Sequence, residues 1–169
     1  MQSKASRASV LCFRCTSGAS ARIGGHFPAC PSFDLMNKLP AVLLVDDDQT
    51  TNYLNRLLLE KLEVTDHILV AHDGREALDL LAKHCLPLTP QCPRLILLDV
   101  NMPGLNGIQF LEAYQQSPLA VQKAIVIVML TTSLHPRDVQ RVQQLNTVSG
   151  FVSKPLTASK IQAILAEHF

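Results

Sequence analysis

From residue 41 onward, short apolar runs alternate with segments in which apolar residues recur every three or four positions. Ala41–Val45 reads AVLLV and breaks into three aspartates, Asp46, Asp47 and Asp48, as a strand buried on both faces does where it leaves a sheet. Gln49–Leu62 sets Tyr53, Leu54, Leu57, Leu58 and Leu62 at helical spacing and predicts an amphipathic helix on those residues. His67–Ala71 is a second apolar run, and Asp73 with Gly74 opens a helix through Lys83 that puts Ala77, Leu78 and Leu81 on one face. After a proline-containing connection, Leu86–Arg94, Leu95–Leu98 is a third strand that ends in Asp99. Asn101–Asn106 is a turn-rich loop and Gly107–Gln115 a third helix. Ala124–Leu130 (AIVIVML) is the most β-branched strand, Pro136–Leu145 a fourth helix, Phe151–Val152 a fifth strand and Ala158–His168 a last helix. Five strands alternating with five helices predict an α/β fold in which a five-stranded parallel sheet carries helices on both faces.

Composition divides the chain in two. Residues 1–35 are rich in Ser, Ala and Gly, hold no sustained period, and carry Lys4, Arg7, Arg14 and Arg22 against one acid, Asp34. Taking that +3 from the total of +1 leaves −2 for residues 36–169. Residues 1–38 are read as a disordered tail or a mis-assigned start, with Met36 as the true first residue, and 39–169 as the domain. Competing readings of the tail are an organelle transit peptide and a zinc site on Cys12, Cys15, His26 and Cys30. Near-neutral charge argues against direct DNA binding, and no run of 18 apolar residues offers a membrane span. Five cysteines fall short of a disulfide framework, so a reducing, cytoplasmic setting is expected, with Cys85 and Cys92 as loop or half-core thiols.

In parallel α/β sheets ligands bind at the carboxyl ends of strands. Those ends deliver Asp46, Asp47 and Asp48 from the first strand, Asp99 from the third, Thr131 from the fourth and Lys154 from the fifth. Two carboxylates 4 Å apart repel by about 4 kcal/mol at an effective dielectric of 20, a cost that a cation offsets. Oxygen donors of this kind suit Mg²⁺, and a lysine facing them suits phosphoryl oxygens. One carboxylate can then serve as a nucleophile that forms an aspartyl phosphate. Asp48, just before a helix, reads as its N-cap. His67, His72, His84 and His135 show no ligand spacing and read as ordinary surface or half-buried residues.

VLLVDDD, LILLDVNMPGLNG, IVIVMLTTS and GFVSKPL, in that order, resemble the receiver domain of two-component response regulators, of the single-domain chemotaxis type, over residues 40–168. The resemblance implies a flavodoxin-like, doubly wound fold. It also implies that Asp99 accepts the phosphoryl group while Asp46, Asp47, Asp99 and the backbone carbonyl of Asn101 hold Mg²⁺. Thr131 and Lys154 would bond the phosphoryl oxygens, Thr131 and Phe151 would act as the switch pair, and Asp138, seven residues past Thr131, favours Thr131 over Thr132. The implied donor is a sensor histidine kinase or histidine phosphotransfer protein. Signalling would pass through phosphorylation-dependent protein binding, phosphorelay or dimerisation, with no output domain expected after Phe169 and no enzymatic turnover beyond self-catalysed phosphoryl acceptance and autodephosphorylation. The alternative is a phosphatase of the haloacid-dehalogenase type, which wants an acid where Asn101 stands. A nucleotide- or flavin-binding module would want a Gly-rich loop that the first strand lacks.

Overall fold

Both sides of every central strand are covered, which is why the strands read as unbroken apolar runs. The computed structural model describes residues 38–122, 125–132, 141–142, 145 and 147–169. Its strands are β1 (Val42–Val45), β2 (Ile68–Ala71), β3 (Leu95–Asp99), β4 (Val126–Thr131) and β5 (Gly150–Ser153). They form one five-stranded sheet in the order β2-β1-β3-β4-β5, and every pairing is parallel. The helices among the described residues are α1 (Gln49–Lys61), α2 (Gly74–Cys85), α3 (Gly107–Gln115), a short α4 (Pro118–Gln122) and α5 (Ala158–His168). The tail, its zinc ligands Cys12, Cys15, His26 and Cys30, and Met36 lie outside the described residues. So do His135, Asp138 and most of the expected fourth helix, of which Arg141, Val142 and Leu145 are described and helical.

Alternation along each strand sorts the core into two layers. Leu43, Val45, Ile96, Leu98, Ile127 and Met129 pack on one side with Ala77 and Leu81 of α2 and Phe110 and Leu111 of α3. Val42, Leu44, Leu95, Leu97, Val128 and Leu130 pack on the other with Leu59 of α1 and Ile161, Ile164 and Leu165 of α5. Burying one such side chain contributes about 1.5–3 kcal/mol, so the two layers clamp the sheet and hold its strand ends in register.

One helix sits differently from its sequence expectation. The buried residues of α1 are Asn52, Asn55 and Leu59, whereas Tyr53, Leu54 and Leu57 are 61%, 57% and 43% exposed. Leu58 and Leu62 are half-buried. The inward face is partly polar: the Asn52 side chain donates to the Asp46 carbonyl at 2.7 Å, and two asparagines face the sheet while three large apolar residues face solvent.

The α2–β3 connection also departs from expectation. Cys85, at the end of α2, and Cys92 form a disulfide with Cα atoms 4.9 Å apart, and both are buried in the α2/α3 layer. The chain turns back between them, with Cys85 bridged antiparallel to Leu88 and Thr89 donating to the His84 carbonyl at 3.0 Å through its amide. Residue spacing alone does not reveal such a reversal, so the reading of two separate thiols is corrected. Closing a loop of this length stabilises by about 2–3 kcal/mol through the unfolded chain. Cys92→Ala should therefore lower the urea-unfolding free energy by about 2 kcal/mol, and added reductant should do the same to the wild type but not to the variant. Peptide mapping of acid-quenched, alkylated protein that found both thiols free would contradict the pairing.

Candidate functional site

β1 hands the chain to β2 on one side, and β3 then starts the other half of the sheet. The carboxyl ends of β1 and β3 therefore flank the switch point where a crevice opens in such sheets. Asp46 and Asp47 follow β1 directly and Asp99 closes β3. One carboxylate oxygen from each of Asp46, Asp47 and Asp99 lies within 4.8 Å of the others. Asp46 and Asp99 are buried, whereas Asp47 is exposed.

The turn that presents these acids is tightly held. Asp46 donates its amide to Ala71 (3.1 Å), accepts the Asp48 amide on Oδ1 (3.0 Å), and receives the Asn52 side chain on its carbonyl. Asp48 caps α1, accepting the amides of Thr50 and Thr51 at 3.1 Å and the Thr51 hydroxyl at 2.6 Å. The Thr51 hydroxyl first, and then those amides, hold the Asp48 carboxyl below its ordinary range. Beneath Asp99, Gly107 opens α3: a Cβ there would run into the Asp99 carbonyl oxygen, so only glycine allows the helix this close. Asn106 and Gln109 close that helix start with a capping box. Gly104, with φ of 74°, makes the preceding turn.

Lys154 arrives from the far end of the chain. Its Nζ sits 2.6 Å from Asp46 Oδ2 and 3.0 Å from Asp99 Oδ2, bridging the two buried acids. Its amide donates to the Thr131 carbonyl at 2.8 Å, so β4 and β5 jointly set its height. Lys160 of α5 clasps the same loop, donating to the carbonyls of Ser153 and Pro155 at 2.6 and 2.8 Å. Thr131 is buried at the end of β4, beside this bridge, and Thr132 is exposed. Phe151 is 39% exposed on edge strand β5, paired with Met129 of β4. Asn101 lies exposed two residues beyond Asp99. Sequence reasoning missed Asn52 and Lys160; the only signal was a polar residue at a helix position that the sheet should bury.

Burial pushes the Asp46 carboxyl above its ordinary range, and the charge of Asp99 adds to this. The Lys154 ammonium and the Asp48 amide oppose the shift without cancelling it. Burial likewise works against the Lys154 ammonium, but its hydrogen bonds to Asp46 and then Asp99 outweigh that, and its pKa is raised. Both shifts mean that folding draws positive charge to this edge. Three hard oxygen donors of this charge and spacing fit a small divalent cation with waters in the remaining positions.

The chain matches the family model described as response regulator receiver domain over residues 42–166. The "probable chemotaxis protein CheY" of Rhizobium etli is 32% identical over 128 residues, 76% of this chain and 91% of that one. The transcriptional regulatory protein CpxR of Escherichia coli K12 is 46% identical over 83 residues, 48% of this chain but only 30% of CpxR. Among solved structures, a two component response regulator from Cytophaga hutchinsonii superposes with a TM-score of 0.68 at 30% identity, covering 77% of this chain and 96% of that one. This chain belongs to the response regulator receiver domain family, with the flavodoxin-like fold of that family. Receiver domains are phosphorylated on an aspartate, bind Mg²⁺ in an acidic pocket, and interact with histidine kinases or phosphotransfer proteins.

The bridge has a signature in pH. The contribution of Lys154 is complete below the ordinary lysine range and is lost as pH rises through its raised value. That of Asp46 is complete below its unfolded value and is lost as pH rises through its own raised value. The ionised form of Asp46 thus depends on the ammonium. Lys154→Met should cost on the order of 2–3 kcal/mol at pH 7, somewhat less than a fully buried pair. The loss should shrink near pH 3, where Asp46 is protonated. Equal losses at both pH values in urea titrations would contradict the bridge.

Proposed function

We propose that the chain is a receiver module that takes a phosphoryl group from phosphohistidine onto Asp99 with Mg²⁺ and signals by phosphorylation-dependent binding. The observation that carries this reading is the Lys154 bridge between Asp46 and Asp99, within the three-acid cluster. Asp46 and Asp47, with Asp99 and the Asn101 carbonyl, would hold Mg²⁺, which supplies charge neutralisation for the transferring phosphoryl oxygens. An Asp99 carboxylate oxygen attacks phosphorus as the phosphorus–nitrogen bond breaks; the histidine, already protonated on its other ring nitrogen, keeps the bond pair and leaves as neutral imidazole. Lys154 would move from Asp46 to the new phosphoryl oxygens, which add roughly two negative charges. Thr131 would follow by bonding a phosphoryl oxygen, and Phe151 would turn inward from its exposed position.

The donor must reach Asp99, so its surface must seat on the rim of the same edge. A groove of about 520 Å³ opens there, lined by Thr51, Leu54, Asn55, Leu58, Thr132, Lys154, Pro155 and Leu156. The outward turn of α1 places Leu54 on its wall, with Tyr53 and Leu57 exposed beside it. We assign this apolar rim to the histidine-bearing donor protein, because Lys154 lines the groove and also touches the acceptor. The relay would end in partner binding or dimerisation on phosphorylation, without multiple turnover of phosphomonoesters.

Incubation with Mg²⁺ and acetyl phosphate should add one phosphoryl mass to the wild type and none to Asp99→Asn. Mg²⁺ at a hundredfold excess over its Kd should stabilise the wild type by about 2.7 kcal/mol, and Asp47→Ala should lose most of this. A full mass gain in Asp99→Asn, or steady hydrolysis of phosphomonoesters, would contradict the assignment. Leu54→Asp should slow transfer from a phosphorylated donor protein at least tenfold while leaving acetyl phosphate labelling unchanged. Equal slowing of both would refute the role of the groove.

A further inference from the structure

Asn52 is almost wholly buried in the first turns of α1, and only half of its amide is used. Nδ2 donates to the Asp46 carbonyl oxygen at 2.7 Å, while Oδ1 is buried with no hydrogen-bond partner among the described residues. A buried acceptor left unpaired is a cost that an aliphatic side chain at this helix position would avoid. That cost points to work done by the other half of the amide.

The bonded carbonyl belongs to the peptide unit that joins Asp46 to Asp47. Peptide units are planar, so fixing the oxygen fixes the direction in which the Asp47 Cα leaves the strand. The Asp46 amide is tied to β2 through Ala71, and its carboxylate is tied to Asp48 and Lys154. The Asp47 side chain makes no hydrogen bond or ion pair among the described residues and is exposed. Its carboxylate is therefore aimed by its backbone alone, and Asn52 is the side chain that grips that backbone. Without this bond the peptide can rotate about the Asp46 ψ angle and carry the Asp47 oxygen away from those of Asp46 and Asp99.

We propose that Asn52 is a positioning residue that locks the Asp46–Asp47 peptide so that Asp47 faces a divalent cation together with Asp46 and Asp99. This rests on the reading of those acids as a Mg²⁺ site. The same side chain would set metal affinity while adding little to stability, because replacing it removes one orphaned acceptor, Oδ1, and creates another, the Asp46 carbonyl.

The test measures Mg²⁺ Kd by calorimetry, and urea midpoints without Mg²⁺, on the full chain. Wild type, Asn52→Leu, Asn52→Ser and Leu59→Val are compared. Asn52→Leu, or Asn52→Ser if the leucine variant does not fold, should raise the Kd at least tenfold and leave the metal-free midpoint nearly unchanged. Leu59→Val, which trims the fully buried side chain of the same helix, should lower the midpoint and leave the Kd unchanged. A Kd within twofold of wild type in the Asn52 variants would overturn the positioning role while leaving the metal reading standing. So would a Leu59→Val Kd raised as much as theirs, since general loosening of α1 would then suffice. A wild type that binds no Mg²⁺ would overturn both.

Discussion

One ammonium holds together two buried carboxylates that come from strands on either side of the switch point. Lys154 lies 108 residues beyond Asp46 in sequence and 2.6 Å from it in space. Without that charge, burial and mutual repulsion would set Asp46 against Asp99, and the closed edge of the sheet would carry a load that no hydrophobic layer could offset locally. In the proposed function the bridge has a second role: a cation already beside Asp99 would meet incoming phosphoryl oxygens with little reorganisation.

The surrounding structure reads as support for that contact. Burial on both faces fixes the strands, and their order brings the ends of β1 and β3 side by side. The Asp48 cap and the Asn52 amide set the first turn, Gly107 lets α3 close under Asp99, and Lys160 with the Thr131 carbonyl sets the loop that carries Lys154. Each restraint acts on backbone next to a functional side chain, so the acids and the lysine are aimed by peptides rather than by one another alone. The same tilt of α1 that brings Asn52 inward exposes Tyr53, Leu54 and Leu57, so positioning of the acids and the apolar rim share one cause.

Much of this is written locally in the chain. Apolar runs ending in aspartate mark the two strand ends that carry the buried acids, β1 and β3, and α3 and α5 fall at Gly107–Gln115 and Ala158–His168 as their spacing predicts. Local patterns fail where a tertiary contact decides. Helical periodicity picks the leucines of α1, but the face that meets the sheet carries Asn52 and Asn55, and Asn52 bonds the carbonyl just past β1. Cys85 and Cys92 looked separate because the fold-back between them is set by turn geometry that spacing does not encode. The short helix at Pro118–Gln122 was unpredicted because five residues carry too little periodicity to register. Lys160 looked like a solvent-facing helix residue, and only the path of the Ser153–Pro155 loop gives its ammonium three oxygens to hold.

The most direct test is a crystal structure with Mg²⁺ and fluoroberyllate, a mimic of the phosphoryl group. Beryllium should be bonded to an Asp99 carboxylate oxygen, Mg²⁺ should be held by Asp46, Asp47 and Asp99, and Lys154 Nζ should have left Asp46 for a fluorine. Beryllium bound elsewhere, or Lys154 still 2.6 Å from Asp46 with the mimic in place, would contradict the account.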